Sequence, residues 1–184
     1  MGLGLTAAQS LPAGTTWYLA TVDNYLPIPQ KTFTAIRLAG KKYQEWKMLQ
    51  KSIEMVAVYS PRWNTVNFSL DGLRFLNHGV EEGEGENGVG NVIIGGTAVG
   101  EDTLVGWSAW TTSKSYEKVD FEVLDKETEL KGPVEILLTR GQFEVYVQSG
   151  LERDIDKALL MVIAQWGVWD EGRDLWVVRV PVEV

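Results

Sequence analysis

Apolar and polar residues alternate with a period of two in many short stretches of this chain. The clearest case is the end of the chain, where every second residue is apolar. These apolar residues are Trp176, Val178, Val180, Val182 and Val184. Such alternation is typical of a strand with one buried face. We therefore expect the chain to close with a hairpin that packs on the core.

Similar stretches recur along the sequence and predict further strands. The predicted strands are 15–22, 31–38, 52–59, 65–70, 91–94, 103–111, 119–124, 134–139 and 142–148. The segment 41–49 instead places Tyr43 and Trp46 three residues apart with lysines outside, which predicts a short helix. An apolar run at 158–163 is expected to form the first strand of the closing hairpin.

Nine or ten short strands with turn residues between them, and one or two short helices, predict an all-β sandwich or barrel. Residues 1–14 are small and uncharged, so we expect a flexible lead-in before a single domain at 15–184. The sequence shows no internal repeat at a fixed period, which argues against a propeller or a solenoid.

Composition excludes several classes of site. The 184 residues include no cysteine and one histidine, so thiolate sites and sites with two imidazoles are excluded. No apolar run approaches the ~20 residues of a membrane helix. The formal net charge is −8 and the first basic residue is Lys31. Capture of nucleic acid by a basic tail is therefore not expected.

The segment 79–90 combines glutamate and glycine and predicts a solvated loop. Its residues 83–88 match the pattern G-x-G-x-x-G. No helical pattern follows, and the glutamates would repel a pyrophosphate, so we reject a dinucleotide site. Glu81, Glu82, Glu84 and Glu86 lack the ordered spacing of a calcium-binding loop, which favours a solvated loop over a cation site.

Two stretches resemble the shell domain of coat proteins of small icosahedral RNA viruses, of the tombusvirus and sobemovirus type. The first is IRLAGKKYQEWK at 36–47, a short helix, followed by SIEMVAVYSP at 52–61. The second is DEGRDLWV at 170–177 with VPVEV at 180–184, which is similar to the last hairpin of such coats.

This resemblance implies an antiparallel jelly-roll β-sandwich and a structural, non-enzymatic protein. It implies self-assembly into an icosahedral shell, a location in the virion, and assembly in the host cytoplasm. In such coats, carboxylates at subunit boundaries often bind calcium, so the resemblance implies Asp154 and Asp156 as calcium ligands between subunits. The alternative for these two residues is a solvated charged turn.

Encapsidated RNA is a partner that the resemblance implies, although the chain has no basic arm. Without that arm, genome packaging would use inward-facing side chains such as Arg37, Lys41, Lys42 and Lys47, or another protein. Other copies of the chain are the main expected partner, and no membrane partner is expected.

Two further functions remain open. Eight tryptophans could form a sugar-stacking surface of a carbohydrate-binding sandwich, or could fill the core and subunit interfaces. Those beside predicted turns are Trp63, Trp107, Trp110 and Trp169. A two-carboxylate glycosidase is the one enzyme class that the composition permits. Its candidate carboxylates are Glu54, Glu135, Glu144 and Glu183.

Overall fold

The computed structural model describes residues 8–9, 12, 15–60, 63–75, 92–94, 105–109, 130 and 132–182. Helices and strands are interspersed in these residues, so the fold is mixed α/β. The strands are β1 (Thr16–Ala20), β2 (Tyr25–Pro29), β3 (Val58–Ser60), β4 (Thr65–Ser69), β5 (Val92–Ile94), β6 (Val105–Ala109), β7 (Glu135–Thr139), β8 (Gly167–Asp170) and β9 (Leu175–Arg179). The helices are α1 (Gln30–Gly40), α2 (Gln44–Val56), α3 (Arg140–Gln148) and α4 (Ala158–Trp166), with 3₁₀ turns at Gly72–Phe75 and Asp154–Lys157.

The prediction of an all-β jelly-roll sandwich is wrong. The described strands form three antiparallel sheets of three strands, in the orders β1-β6-β5, β2-β4-β3 and β7-β9-β8. Four α-helices lie between these strands, among them segments that were predicted to be strands. Sheets this small leave apolar faces that the helices cover.

The predicted strands at 31–38 and 142–148 are the helices α1 and α3. In α1 the buried residues are Thr32, Phe33, Ala35, Ile36, Ala39 and Gly40. Their spacing of three and four residues places them on one side of a helix. Most of the predicted strand at 52–59 is the second half of α2, and the apolar run at 158–163 lies in α4.

Several strand predictions are confirmed. The predicted strands at 15–22, 65–70, 91–94, 103–111 and 134–139 contain β1, β4, β5, β6 and β7. The closing hairpin is confirmed in part: β8 and β9 form a hairpin, but the apolar run predicted as its first strand is helix α4, and β9 ends at Arg179. The predicted strand at 119–124 and almost all of the predicted lead-in at 1–14 lie outside the described residues.

The structure contains one unit twice. The first repeat, β2-α1-α2-β3-β4, and the second repeat, β7-α3-α4-β8-β9, have the same element order and the same strand order in their sheets. Equivalent residues of the two repeats are 110 positions apart in the sequence. Pro29 and Thr139 each end the first strand of their repeat, and Thr65 and Leu175 each begin the last strand. The 3₁₀ turn Asp154–Lys157 together with α4 takes the place of α2.

The hairpins of the two repeats also match in conformation. The residue just before the last strand has a positive φ in both repeats, 51° at Asn64 and 52° at Asp174. Asparagine and aspartate tolerate this left-handed conformation better than other residues with a Cβ. Only six of the 45 residue pairs between 25–69 and 135–179 are identical, so the repeat is hidden in the sequence.

The two repeats share one hydrophobic core. Trp46, Leu49 and Ile53 of α2 belong to the same buried cluster as Leu159 and Val162 of α4. The equivalent helices α2 and α4 pack against each other, and the 3₁₀ turn before α4 also packs on α2. The ring of Trp166, at the end of α4, lies 5.1 Å from the ring of Tyr43, just before α2, so the two helices run antiparallel.

Candidate nucleic-acid interface

The first repeat contains a helix-turn-helix. Helix α1 ends at Gly40, and α2 begins at Gln44 after a turn of three residues. Backbone hydrogen bonds hold this turn, from the Lys42 and Tyr43 amides to the Ala39 carbonyl oxygen. Two helices joined by a turn of three or four residues, often with a glycine, form the motif that many DNA-binding proteins use.

Close contact between α1 and α2 depends on Gly40. A Cβ at this position would lie 2.9 Å from Oε1 of Gln50 and 3.2 Å from Cα of Lys47. A side chain here would require the end of the Gln50 side chain to move and the α2 backbone at Lys47 to give way by a few tenths of an ångström. Glycine at this position therefore allows the end of α1 to approach the backbone of α2 closely.

One side of α2 is buried and the other is open to solvent. Trp46, Leu49 and Ile53 are buried in the core. The exposed side carries Gln44, Lys47, Lys51, Glu54 and Met55. Since residues four apart share a helix face, Lys47 and Lys51 lie side by side on this exposed stripe.

The helix-turn-helix presents a concentration of positive charge. We call Arg37, Lys41, Lys42, Lys47 and Lys51 the basic face. The four lysines are exposed and Arg37 is half-buried at the end of α1. The resemblance to viral coats implied that all of these residues except Lys51 contact RNA, although on the inner surface of a shell.

Nearby carboxylates have other partners. Glu45 accepts a hydrogen bond of 3.0 Å from the indole nitrogen of Trp166, and Glu54 accepts one of 2.9 Å from the Gln50 amide. Within the described residues, Lys41, Lys47 and Lys51 take part in no salt bridge. The charge of these three lysines is therefore directed to solvent.

A cleft opens between α1 and α2 on the same side. Its volume is about 400 Å³, and it is lined by Thr34, Arg37, Leu38, Gly40, Lys41, Lys47 and Gln50. We call it the α1–α2 cleft. Three of the seven lining residues are cationic and none is acidic, so the cleft is suited to an anion.

The hairpin between β3 and β4 extends beside the helix-turn-helix. Trp63 at its tip is 45% exposed. The side-chain amide of Asn64 donates to Oε1 of Gln30, the first residue of α1, at 3.5 Å. This contact places the hairpin next to the start of the helix-turn-helix.

The second repeat has the same backbone plan with different side chains. At the positions equivalent to the basic face it carries Val147, Leu151, Glu152, Lys157 and Met161. Only one of five positive charges is kept, and Met161 is 41% exposed. The second repeat therefore lacks a basic face.

Charge is distributed unevenly along the sequence. Residues 15–75 contain eight lysines and arginines against four aspartates and glutamates, whereas residues 76–129 contain three against twelve. Residues 130–184 contain six against nine. The segment that contains the first repeat is therefore net positive, although the net charge of the whole chain is −8.

The two predicted calcium ligands point in different directions. Asp154 is exposed and forms a salt bridge of 3.9 Å with Lys157. Asp156 is buried, and both of its carboxylate oxygens accept hydrogen bonds of 2.8 Å from the Arg153 guanidinium. No group of three or more potential metal-ligating side chains occurs within the described ranges. The calcium site stays a prediction.

Asp156 instead belongs to a buried polar network that joins the two repeats. Arg74, which follows the first repeat, donates to Oγ of Ser149 at 2.6 Å and to the Gly150 carbonyl oxygen, and its Nε lies 4.0 Å from Asp156. Burial would raise the pKa of Asp156, but its hydrogen bonds from Arg153 and the nearby Arg74 charge hold that pKa below its usual range. Burial raises the pKa of Tyr146, which donates to the Asp156 carbonyl oxygen, to about 12.

The other predicted site residues are scattered. Glu54 lies on α2, Glu135 on β7 beside Arg179, and Glu144 on α3. The ring of Trp169 packs edge-on against Trp176 at 5.4 Å. The side chain of Trp107, on β6, is not described, and Trp110, Glu183 and the acidic loop at 79–90 lie outside the described residues.

Within the described part of the chain, no helix has the length and apolar character needed to cross a membrane.

Comparisons with known proteins leave the site to be interpreted from its own geometry. Searches against protein-family models, curated proteins and solved structures each give no match.

Proposed function

We propose that this protein binds double-stranded DNA through the helix-turn-helix of its first repeat. The observation that carries the proposal is the basic face on and around α2, at the place where such a motif contacts DNA. In helix-turn-helix proteins the second helix lies in the major groove, and residues near its start contact base edges. Here the exposed residues near the start are Gln44 and Lys47, and Lys51 follows one turn later on the same face.

The dimensions of α2 suit this role. Its 13 residues make a helix of about 20 Å, and the major groove of B-form DNA, about 12 Å wide, admits an α-helix. The major groove of duplex RNA is deep and too narrow for side chains to read. The geometry therefore favours duplex DNA over duplex RNA.

The cations of the basic face supply affinity through phosphates, and the exposed side chains of α2 supply contacts to bases. Lysine and arginine neutralise phosphates, and the salt dependence of binding reports their number. Gln44 carries an amide that can pair with adenine, while Lys47 and Lys51 can donate to guanine. If all five cations of the basic face contact phosphates, log K should fall with log salt at a slope of about −4.5.

The test is a titration of the full chain with a labelled duplex of about 30 base pairs, between about 50 and 200 mM salt. We expect Lys47→Gln combined with Lys51→Gln to weaken binding by on the order of thirtyfold, about 2 kcal/mol. Fluorescence anisotropy measures both the affinity and its salt slope.

Lys157→Gln is the matched control, because Lys157 takes the position of Lys47 in the second repeat. We expect it to change the affinity by less than about twofold. The proposal is wrong if the wild-type chain shows no salt-dependent binding to duplex DNA, or if the double variant binds as tightly as the wild type. Equal binding to duplex RNA would contradict the role of the major groove.

Assembly into a viral shell stays a separate prediction. The jelly-roll fold on which it rested is absent from the described residues. Size-exclusion chromatography with light scattering tests it directly, since a shell would elute far ahead of a 20.5 kDa chain.

A further inference from the structure

The geometry points to the α1–α2 cleft as a binding site for a single phosphate group, the anchor for one phosphodiester of the DNA backbone. This inference deepens the proposed function and rests on it. It separates two tasks within the first repeat: the exposed stripe of α2 contacts bases, and the cleft fixes where the helix sits along the duplex. Phosphate contacts set register and orientation, whereas base contacts set specificity.

The chemistry of the lining supports a phosphate. Arg37 offers a planar fork of donors that matches two phosphate oxygens, and Lys41 and Lys47 add two compact positive charges. Thr34 adds a hydroxyl, and Gln50 adds an amide whose nitrogen also donates to Glu54 at 2.9 Å. A phosphodiester carries one negative charge and needs several donors at once, which this lining provides.

The size and position of the cleft fit the backbone of a nucleic acid. A volume of about 400 Å³ lies within the range of small-ligand pockets, so a phosphate can enter together with part of its sugar. Lys47 lines the cleft and also belongs to the exposed stripe of α2. A phosphate held in the cleft is therefore adjacent to the surface that would enter the groove.

The second repeat provides an internal comparison. The positions equivalent to Thr34, Arg37 and Lys41 are Glu144, Val147 and Leu151. Glu144 would repel a phosphate, and the two aliphatic residues offer it no donor. We therefore expect phosphate to bind at the first repeat and not at the second.

The first experiment uses inorganic phosphate as the probe. Amide ¹H–¹⁵N spectra of the full chain are followed as phosphate replaces chloride at constant ionic strength. We expect saturable shifts in residues 34–47 and none in residues 144–157. Arg37→Gln combined with Lys41→Gln should weaken phosphate binding at least tenfold, while Lys157→Gln should leave it unchanged. Shifts that are spread evenly over the surface would overturn the inference.

The second experiment uses the DNA duplex. In the variant Arg37→Gln with Lys41→Gln, the slope of log K against log salt should become less negative by about one to two. Each lost phosphate contact changes this slope by about 0.9. The loss of DNA affinity in this variant should be the same for different DNA sequences. Thermal unfolding of each variant confirms that it is folded. Leu38→Glu provides an independent variant, because it adds negative charge to the cleft without removing a cation.

The two experiments distinguish the inference from the proposed function. An unchanged salt slope in the Arg37→Gln and Lys41→Gln variant, with DNA still bound, overturns the cleft as an anchor and leaves the proposed function standing. Localised phosphate shifts without any DNA binding overturn the proposed function and identify the cleft as a site for free phosphate.

Discussion

The helix-turn-helix units of the two repeats have the same backbone plan and differ in the side chains that they present to solvent. The first carries five cations around α2, four of them exposed lysines, and the second carries Val147, Leu151, Glu152, Lys157 and Met161 at the equivalent positions. Their buried sides are more alike, since Leu49 and Ile53 correspond to Leu159 and Ile163. The comparison shows that packing constrains one side of each helix while the other side is free to change its chemistry.

The two repeats differ in their cores at one position. Trp46 is fully buried near the start of α2, and its equivalent is the buried carboxylate of Asp156. The first repeat thus fills this place with an aromatic ring, and the second fills it with a charged group that is paired with arginines.

The largest effects should come from this position. We expect Trp46→Ala to lower the free energy of unfolding by about 3–5 kcal/mol through loss of packing. Asp156→Ala should cost a similar amount, about 3–5 kcal/mol, because it leaves the buried Arg74 without its carboxylate. Urea unfolding followed by tryptophan fluorescence and circular dichroism measures both.

The pH dependence of unfolding separates the two cases. The pKa of folded Asp156 is lowered, so its contribution to stability is complete above the unfolded value of about 3.9 and is lost as the pH falls through the lower folded value. Asp156→Ala should remove this part of the acid destabilisation, and Trp46→Ala should keep it. Identical pH profiles below about pH 4 for wild type and Asp156→Ala would contradict the role of the carboxylate.

A smaller effect tests whether the hairpin turns are equivalent. Asn64 and Asp174 both adopt the left-handed conformation, which a β-branched residue strongly disfavours. Asn64→Val and Asp174→Val should each lower the free energy of unfolding by about 1–2 kcal/mol. Asn64→Gly and Asp174→Gly serve as controls, because glycine adopts this conformation without strain. A clear loss at one turn and none at the other would show that the turns differ in solution.

The smallest effect concerns a transfer of the cleft chemistry to the second repeat. Val147→Arg with Leu151→Lys places cations at the positions of Arg37 and Lys41. We expect inorganic phosphate then to perturb residues 144–157, and DNA affinity to rise only a few-fold, by less than about 1 kcal/mol. Phosphate shifts confined to residues 34–47 in this variant would show that the charges alone do not make the site.

The sequence predicts strands better than helices in this protein. The strands at 65–70 and 134–139 alternate clearly and have one buried face. In contrast, Phe143, Val145 and Val147 alternate in the same way within α3, so the period alone misassigns a helix. A helix signal was present: Thr139 and Gln142 form a capping box, in which each side chain bonds the other's backbone amide.

The repeat and the site could be predicted only in part. Buried apolar runs such as 158–163 have no period that separates helix from strand, which hid the match between α2 and α4. The prediction that Arg37, Lys41, Lys42 and Lys47 contact RNA came from the resemblance to viral coats, and no pattern in the sequence indicated which way these side chains face. Lys51 was not among these residues, because its segment was predicted to be a strand, and its place beside Lys47 requires the helical spacing of α2.

The antiparallel packing of α2 on α4 has a consequence for how such a surface can evolve. In a symmetric dimer of identical chains, every substitution appears twice, so both copies of a binding surface change together. When the two units belong to one polypeptide, a substitution at Arg37 leaves Val147 as it was. The single chain can therefore specialise one unit while the other maintains the shared core, a freedom that a pair of identical subunits does not have.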